Sequence, residues 1–145
     1  SLSFWLLSFS MFLFFSLALV KRCVELKLIE SKNKTSTFID KKISGRGYWV
    51  GDEPILYNLG VASGLLAVLV FALYINSQEV SVLYGKPEIL WLALPVLFFW
   101  ISRIWVLTYR GVMHEDPVLF AIHDKVSLTS IVVVLAILWT ASVYI

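Results

Sequence analysis

Residues 54–78 read PILYNLGVASGLLAVLVFALYINSQ, 25 consecutive positions without a charged side chain. A helix crossing the hydrocarbon core of a bilayer needs about 20 mostly apolar residues at a rise of about 1.5 Å each. This run is long enough to span, and three more flank it. Leu2–Val20 has 19 residues without a charge, Ile89–Tyr109 is interrupted only by Arg103, and Val126–Ile145 is uncharged over 20 residues. Inside lipid the backbone N–H and C=O groups have no outside partner, so each run must be a helix or part of a closed barrel. Barrel strands alternate apolar and polar residues over about 10 positions, and these Leu-, Phe- and Val-rich runs do not. The sequence predicts an all-α integral membrane bundle with four transmembrane helices, at about 2–20, 54–78, 89–109 and 126–145.

Composition narrows the function classes. The 145 residues are 59% hydrophobic and 15% charged, with a mean hydropathy of +0.85. A soluble domain carries about 45–50% apolar and about 25% charged residues. A disordered chain, a collagen-like chain and an ordinary soluble enzyme are excluded. The net charge of +2 is too small for a nucleic-acid footprint, so no nucleic-acid partner is expected. The single cysteine, Cys23, excludes an internal disulfide and any Cys-based zinc site.

Basic residues set an expected orientation. Lys21, Arg22, Lys27, Lys32, Lys34, Lys41, Lys42 and Arg46 follow the first run, whereas the turn between runs two and three carries only Lys86. Arg110 and Lys125 lie between runs three and four. The positive-inside rule then makes segments 21–53 and 110–125 cytoplasmic, with both ends of the chain on the outer side of a bacterial plasma membrane. No basic residue precedes Leu2, which argues against a signal peptide. The chain enters an apolar run directly after Ser1, and we expect a C-terminal part of a larger membrane protein, its partners being the bilayer and the N-terminal helices of the same protein.

Local signals refine the connections. Val24, Leu26, Leu28 and Ile29 keep Lys21–Glu30 apolar enough to extend the first helix past the bilayer surface. Asp116 followed by Pro117 reads as an N-cap and a first-turn proline, predicting a short helix from Pro117 toward Lys125. Gly60-Val-Ala-Ser-Gly64 is a GxxxG element that permits close helix contact.

Several residues are candidates for chemistry. Lys21 and Arg22, with Glu25 at helical spacing, can grip a phosphate; equally, basic residues at an inner boundary are a topology signal that needs no substrate. Arg103 and Arg110 lie seven apart on one helix face, and a cation within a span is a functional candidate by default; flanked by Trp100 and Trp105, Arg103 equally suits a place at the membrane boundary. His114, Glu115, Asp116, His123 and Asp124 put two imidazoles and three carboxylates within eleven residues. A Mg²⁺ site built from one or two carboxylates and substrate phosphates is physically reasonable there; solvated loop charges around a capped helix are the plainer alternative.

Taken together, Phe4-Trp-Leu-Leu7, Leu17–Arg22 with Glu25-Leu26, Arg46-Gly-Tyr48, Leu59–Gly64, Ala72–Ile75, Trp100–Arg103, Arg110–Val118, Phe120-Ala121 and Asp124 resemble the C-terminal third of UbiA-type intramembrane prenyltransferases. The likeness is greatest to the bacterial branch similar to decaprenyl-phosphate phosphoribosyltransferase. It implies a nine-helix membrane bundle of which these runs are the last four. The implied activity is Mg²⁺-dependent transfer of a prenyl or phosphoribosyl group to or from a polyprenyl phosphate or diphosphate. The family's first acidic motif, of the NDxxDxxxD kind, is expected upstream of Ser1, and its second appears here as Lys21-Arg22 with Glu25.

On that resemblance Lys21, Arg22 and Arg110 would contact substrate phosphate, while Glu25, Asp116 and Asp124 would hold or orient the metal. The four spans alone would be inactive. Two other classes fit the apolar runs: a non-enzymatic helical membrane subunit, and a fragment of a transporter with Arg103 on its pathway.

Overall fold

The computed structural model describes residues 4–32, 50–77, 86–113 and 116–143. Within them the chain forms five α-helices: α1 (Phe4–Lys32), α2 (Glu53–Ile75), α3 (Ala93–Arg110), α4 (Pro117–His123) and α5 (Lys125–Val143). Short 3-10 segments at Val50–Asp52 and Pro87–Leu92 precede α2 and α3, and no strand occurs among the described residues. Four helical stretches are long and apolar enough to cross a membrane: Phe4–Leu28, Glu53–Ile75, Glu88–Arg110 and Lys125–Ser142.

The first helix runs past Val20 for 29 residues in all, the extension expected from the partly apolar stretch Lys21–Glu30. At about 1.5 Å per residue that is about 44 Å, well beyond a hydrocarbon core of about 30 Å. The excess carries Lys21–Lys32 past the apolar run. The third span opens as a 3-10 segment because Pro95 has no N–H for the carbonyl four residues before it. Its cap bonds, from the Ala93 N–H to Leu90 and Trp91 carbonyls, show the tightened winding.

Side-chain contacts fix the topology. Phe9 meets Phe71, Ser16 reaches Gly60 and Lys27 reaches Glu53, so α1 and α2 run antiparallel. Tyr57 packs on Trp105 and Tyr109, which sets α3 antiparallel to α2. Trp100 bonds Ser127, and Arg103 bonds Asp124, which sets α5 antiparallel to α3. The result is an up-down-up-down bundle. One end gathers the C-terminal part of α1, the starts of α2 and α5, the end of α3, and α4; we call it the basic end. At the opposite end Tyr74, Ile75, Leu90 and Ala141 form a small cluster, and the Lys86 N–H donates to the Ala141 carbonyl at 3.3 Å.

The bundle interior is joined by small residues and one polar hub. A Cβ added at Gly60 would lie 2.2 Å from the Trp105 ring, and one at Gly64 would lie 2.7 Å from Ile101 Cγ2 and 3.0 Å from Ser16 Oγ. Only glycine lets α2 approach its neighbours this closely. Ser16 Oγ donates to the Gly60 carbonyl at 2.7 Å and accepts from Trp105 Nε1 at 3.0 Å, tying α1, α2 and α3. The outward faces are apolar: Phe4 is 80% exposed, Trp139 72% and Val132 64%. Exposed apolar residues on this scale suit lipid rather than water.

Candidate functional site

The candidate residues lie at the basic end, where α1 leaves the apolar run. Lys21 Nζ is 3.5 Å from Asp116 Oδ2, and both side chains remain accessible, at 45% and 33%. Arg22 Nη1 donates to both carboxylate oxygens of Glu25, at 3.2 and 3.3 Å, one helical turn along. Asp116 caps α4 as expected, its Oδ1 accepting from the Val118 N–H at 2.9 Å. One carboxylate thus starts the short helix and pairs with the cation on α1.

Asp124 occupies a different position. It accepts two bonds from the Arg103 guanidinium, and its Oδ2 also accepts the Ser127 N–H at 2.9 Å and hydroxyl at 2.8 Å. Ser127 Oγ in turn accepts from Trp100 Nε1 at 2.9 Å. Burial alone would push the Asp124 carboxyl up; the bonds from Ser127 and Arg103, with the Arg103 charge, outweigh it and hold the carboxyl below its ordinary value. Arg103 is therefore neither free at the boundary nor facing an open polar channel. It packs over the Phe120 ring and pins α3 to the start of α5.

Each acidic residue that the resemblance assigns to a metal is paired with a cation here. Among the described residues no three His, Cys, Asp or Glu side chains converge where they could hold a metal ion. Glu25, Asp116 and Asp124 are instead engaged by Arg22, Lys21 and Arg103 respectively. Among the described residues these three carboxylates do not converge as a cradle for the Mg²⁺ that the resemblance implies. Asp116 and Asp124 are eight positions apart with a helix between them, a separation of about 12 Å at helical rise. Arg110 is the exposed last residue of α3, with Gly111 closing the helix at φ 76 and its N–H bonded to the Leu107 and Thr108 carbonyls. His123 ends α4. His114, Glu115 and Arg46-Gly-Tyr48 lie outside the described residues.

One cluster was not anticipated. Lys27 Nζ is 3.5 Å from Glu53 Oε1 and lies 5.0 Å from the Tyr109 ring centre and 6.0 Å from that of Tyr57. The two rings meet edge to face at 5.8 Å. The available signal was a cation two turns beyond the first run and a carboxylate opening the second. Antiparallel neighbours bring those ends together.

Beneath α4 lies an apolar cleft of about 250 Å³, walled by Leu17, Trp100, Ala121 and Leu135. A second hollow of about 370 Å³ runs toward the opposite end beside Phe9 and Phe71. Leu97 and Val134 line both. Chemically, the basic end offers an accessible cation above a slot suited to an apolar chain.

No family model matches the chain, and no solved structure matches it. It is similar to protein y4nM of Sinorhizobium fredii, itself described as uncharacterized, with 39% identity over 124 residues, 85% of this chain and 23% of that protein. It is also similar to the nodulation protein NoeC of Azorhizobium caulinodans, with 33% identity over 125 residues, 86% of this chain and 39% of that protein. The chain thus spans less than half the length of either relative.

Proposed function

We propose that the chain is part of a membrane-embedded transferase of the UbiA type, acting on a polyprenyl phosphate or diphosphate by prenyl or phosphoribosyl transfer. The reading places the protein in a bacterial plasma membrane with the basic end cytoplasmic. The observation that carries it is the juxtaposition of Lys21 and Asp116. The α1 extension holds an accessible ammonium beside the short helix of the next connection, directly where the apolar runs give way to charge. Lys21 is the phosphate contact, and Arg22, held by Glu25 at 15% side-chain exposure, adds field rather than direct grip.

The chemistry asked of these residues is electrostatic. Fixed cations in a partly dry site stabilise the negative charge that builds on a departing phosphate group while positive charge develops on the carbon being transferred. The apolar cleft and hollow along α1, α3 and α5 would take the polyprenyl tail. Helices supplied by the rest of the protein would complete the site.

The test is transfer by the full-length protein in membranes, with labelled polyprenyl phosphate. Lys21→Gln is expected to lower turnover by about a hundredfold, the usual cost of one oxyanion-stabilising donor, with membrane insertion unchanged. Turnover at the wild-type rate in Lys21→Gln and Arg22→Gln would overturn the reading. No transfer by the wild type would favour a non-enzymatic helical subunit, which the pairing of Glu25, Asp116 and Asp124 with cations also suits. A transporter gains less, since Arg103 is committed to Asp124.

A further inference from the structure

We propose that α4 is an interfacial helix whose outward face lies in a phospholipid leaflet at the basic end, with Arg110 and Lys125 meeting headgroup phosphates. The inference rests on the membrane reading of the four long helices and not on the transferase reading.

The six residues from Pro117 to Ile122 are all apolar, and only His123 at the end is not. Pro117 and Ala121 are buried, and Phe120 packs against the core between them, the i, i+3, i+4 spacing of one helix face. The opposite face is no less apolar: Val118 is 57% exposed, Leu119 50% and Ile122 55%. A helix that is apolar all round is a buried helix, in protein or in lipid. Here the protein covers one side only.

Position and charge decide what covers the other. α4 is tied at one end to α3, which stops at Arg110, and at the other to α5, which starts at Lys125. Both neighbours are long and apolar enough to cross a bilayer, so α4 sits at the level where they leave it. Tyr109, 67% exposed, and Val112, 54% exposed, lie at the end of α3, and tyrosine favours that depth. Of the described residues, the two carboxylates that bound α4 are paired within the bundle: Asp116 with Lys21, and Asp124 with Arg103. Arg110 and Lys125 are exposed. An apolar strip flanked on both sides by cations has the layering of a leaflet, with hydrocarbon below and phosphate above.

The experiment uses the intact protein in phosphatidylcholine–phosphatidylglycerol nanodiscs, spin-labelled at Leu119→Cys or Ile122→Cys. Native Cys23 is 0% exposed and stays in place; unsubstituted protein measures any background labelling. Collision with oxygen reports lipid, and collision with a water-soluble nickel chelate reports solvent. Both labels are expected to favour oxygen, at a depth of about 5–10 Å below the phosphates. A label at Val132→Cys, on the outward face of α5 at 64% exposure, reports the spanning helices by themselves. If Val132→Cys favours oxygen while both α4 labels favour nickel, the helix faces water and the proposal is overturned. It is overturned too if the α4 labels are shielded from both reagents, because another protein surface then covers them. Nickel access at Val132→Cys would overturn the membrane reading and this inference with it.

Discussion

Arg103 on α3 and Asp124 immediately before α5 are joined through Nη1 and Nη2 of the guanidinium, and the same carboxylate caps the helix that follows by accepting from the Ser127 N–H and hydroxyl. The pair is partly buried, at 24% and 15% side-chain exposure. It fixes the depth at which the third connection re-enters the bundle. A cation that could have marked a substrate pathway is instead a fastening between two helices.

The fastening has a pH signature. Because the Asp124 carboxyl sits below its ordinary value in the folded protein, the unfolded chain takes up the proton first as pH falls. The stabilisation is therefore full above the unfolded value of about 3.9 and is lost as pH drops through the lower folded value. Asp124→Asn lacks this contribution at every pH. It is expected to cost about 1–3 kcal/mol at neutral pH, because Arg103 loses a charged partner in a partly buried site. Thermal unfolding in detergent, followed from neutral pH to about pH 3, should show the wild type and the variant converging at the acid end. Parallel curves would mean that ionisation of Asp124 adds nothing to stability.

Gly60 and Gly64 should tolerate substitution badly, and unequally. At Gly60 a methyl would meet the rigid Trp105 ring at 2.2 Å, and Leu19 Cβ stands at 3.2 Å on another side. At Gly64 the obstacles are Ile101 Cγ2 at 2.7 Å and the Ser16 hydroxyl at 3.0 Å. Overpacking of this kind costs about 1–3 kcal/mol. Gly60→Ala is expected at the upper end, since moving Trp105 also breaks its bond to Ser16. Thermal midpoints of the two variants, measured side by side, check the order.

Much of this fold is readable before any coordinates. Four apolar runs give the four long helices, the partly apolar stretch after Val20 gives the extension of α1, and Asp116-Pro117 gives the cap and start of α4. What cannot be read is pairing across the bundle. Arg103 and Asp124 are 21 positions apart, and their meeting depends on how α4 turns the chain. Lys27 and Glu53 meet only because two antiparallel helices end at one level. Ser16 looks like a tolerated hydroxyl in an apolar run until Gly60 and Trp105 surround it. Glu25, Asp116 and Asp124 were grouped by family likeness, and which cation each one meets, Arg22, Lys21 and Arg103, depends on the packing of the helices.

Gly111 isolates a different glycine effect. Its φ is 76, and nothing lies within 4 Å of an added Cβ. Gly111→Ala should therefore cost about 1 kcal/mol from backbone strain alone. Gly111→Asn should cost less, because asparagine enters the left-handed region more readily. A drop for Gly111→Ala as large as that for Gly60→Ala would show that steric packing, not the helix-ending turn, sets the penalty.

Asp116 separates a cap from a metal ligand. Asparagine caps a helix about as well as aspartate, whereas alanine forfeits about 1 kcal/mol. With the cap bond to Val118 and the Lys21 pair as its contacts, Asp116→Asn should keep near-wild-type stability, and Asp116→Ala should lose about that amount. In the full-length protein, Asp116→Asn removes the negative charge beside Lys21 and leaves its ammonium to the phosphate. Transfer should persist, with KM for the polyprenyl phosphate unchanged or lower. A metal ligand would behave otherwise: Asp116→Asn would then raise the Mg²⁺ concentration needed for half-maximal transfer by about 10–100-fold while the protein stayed as stable as the wild type. Measuring stability and the Mg²⁺ dependence on the same preparations distinguishes the two roles. A large Mg²⁺ shift would return Asp116 to the metal and leave Lys21 without its assigned neighbour.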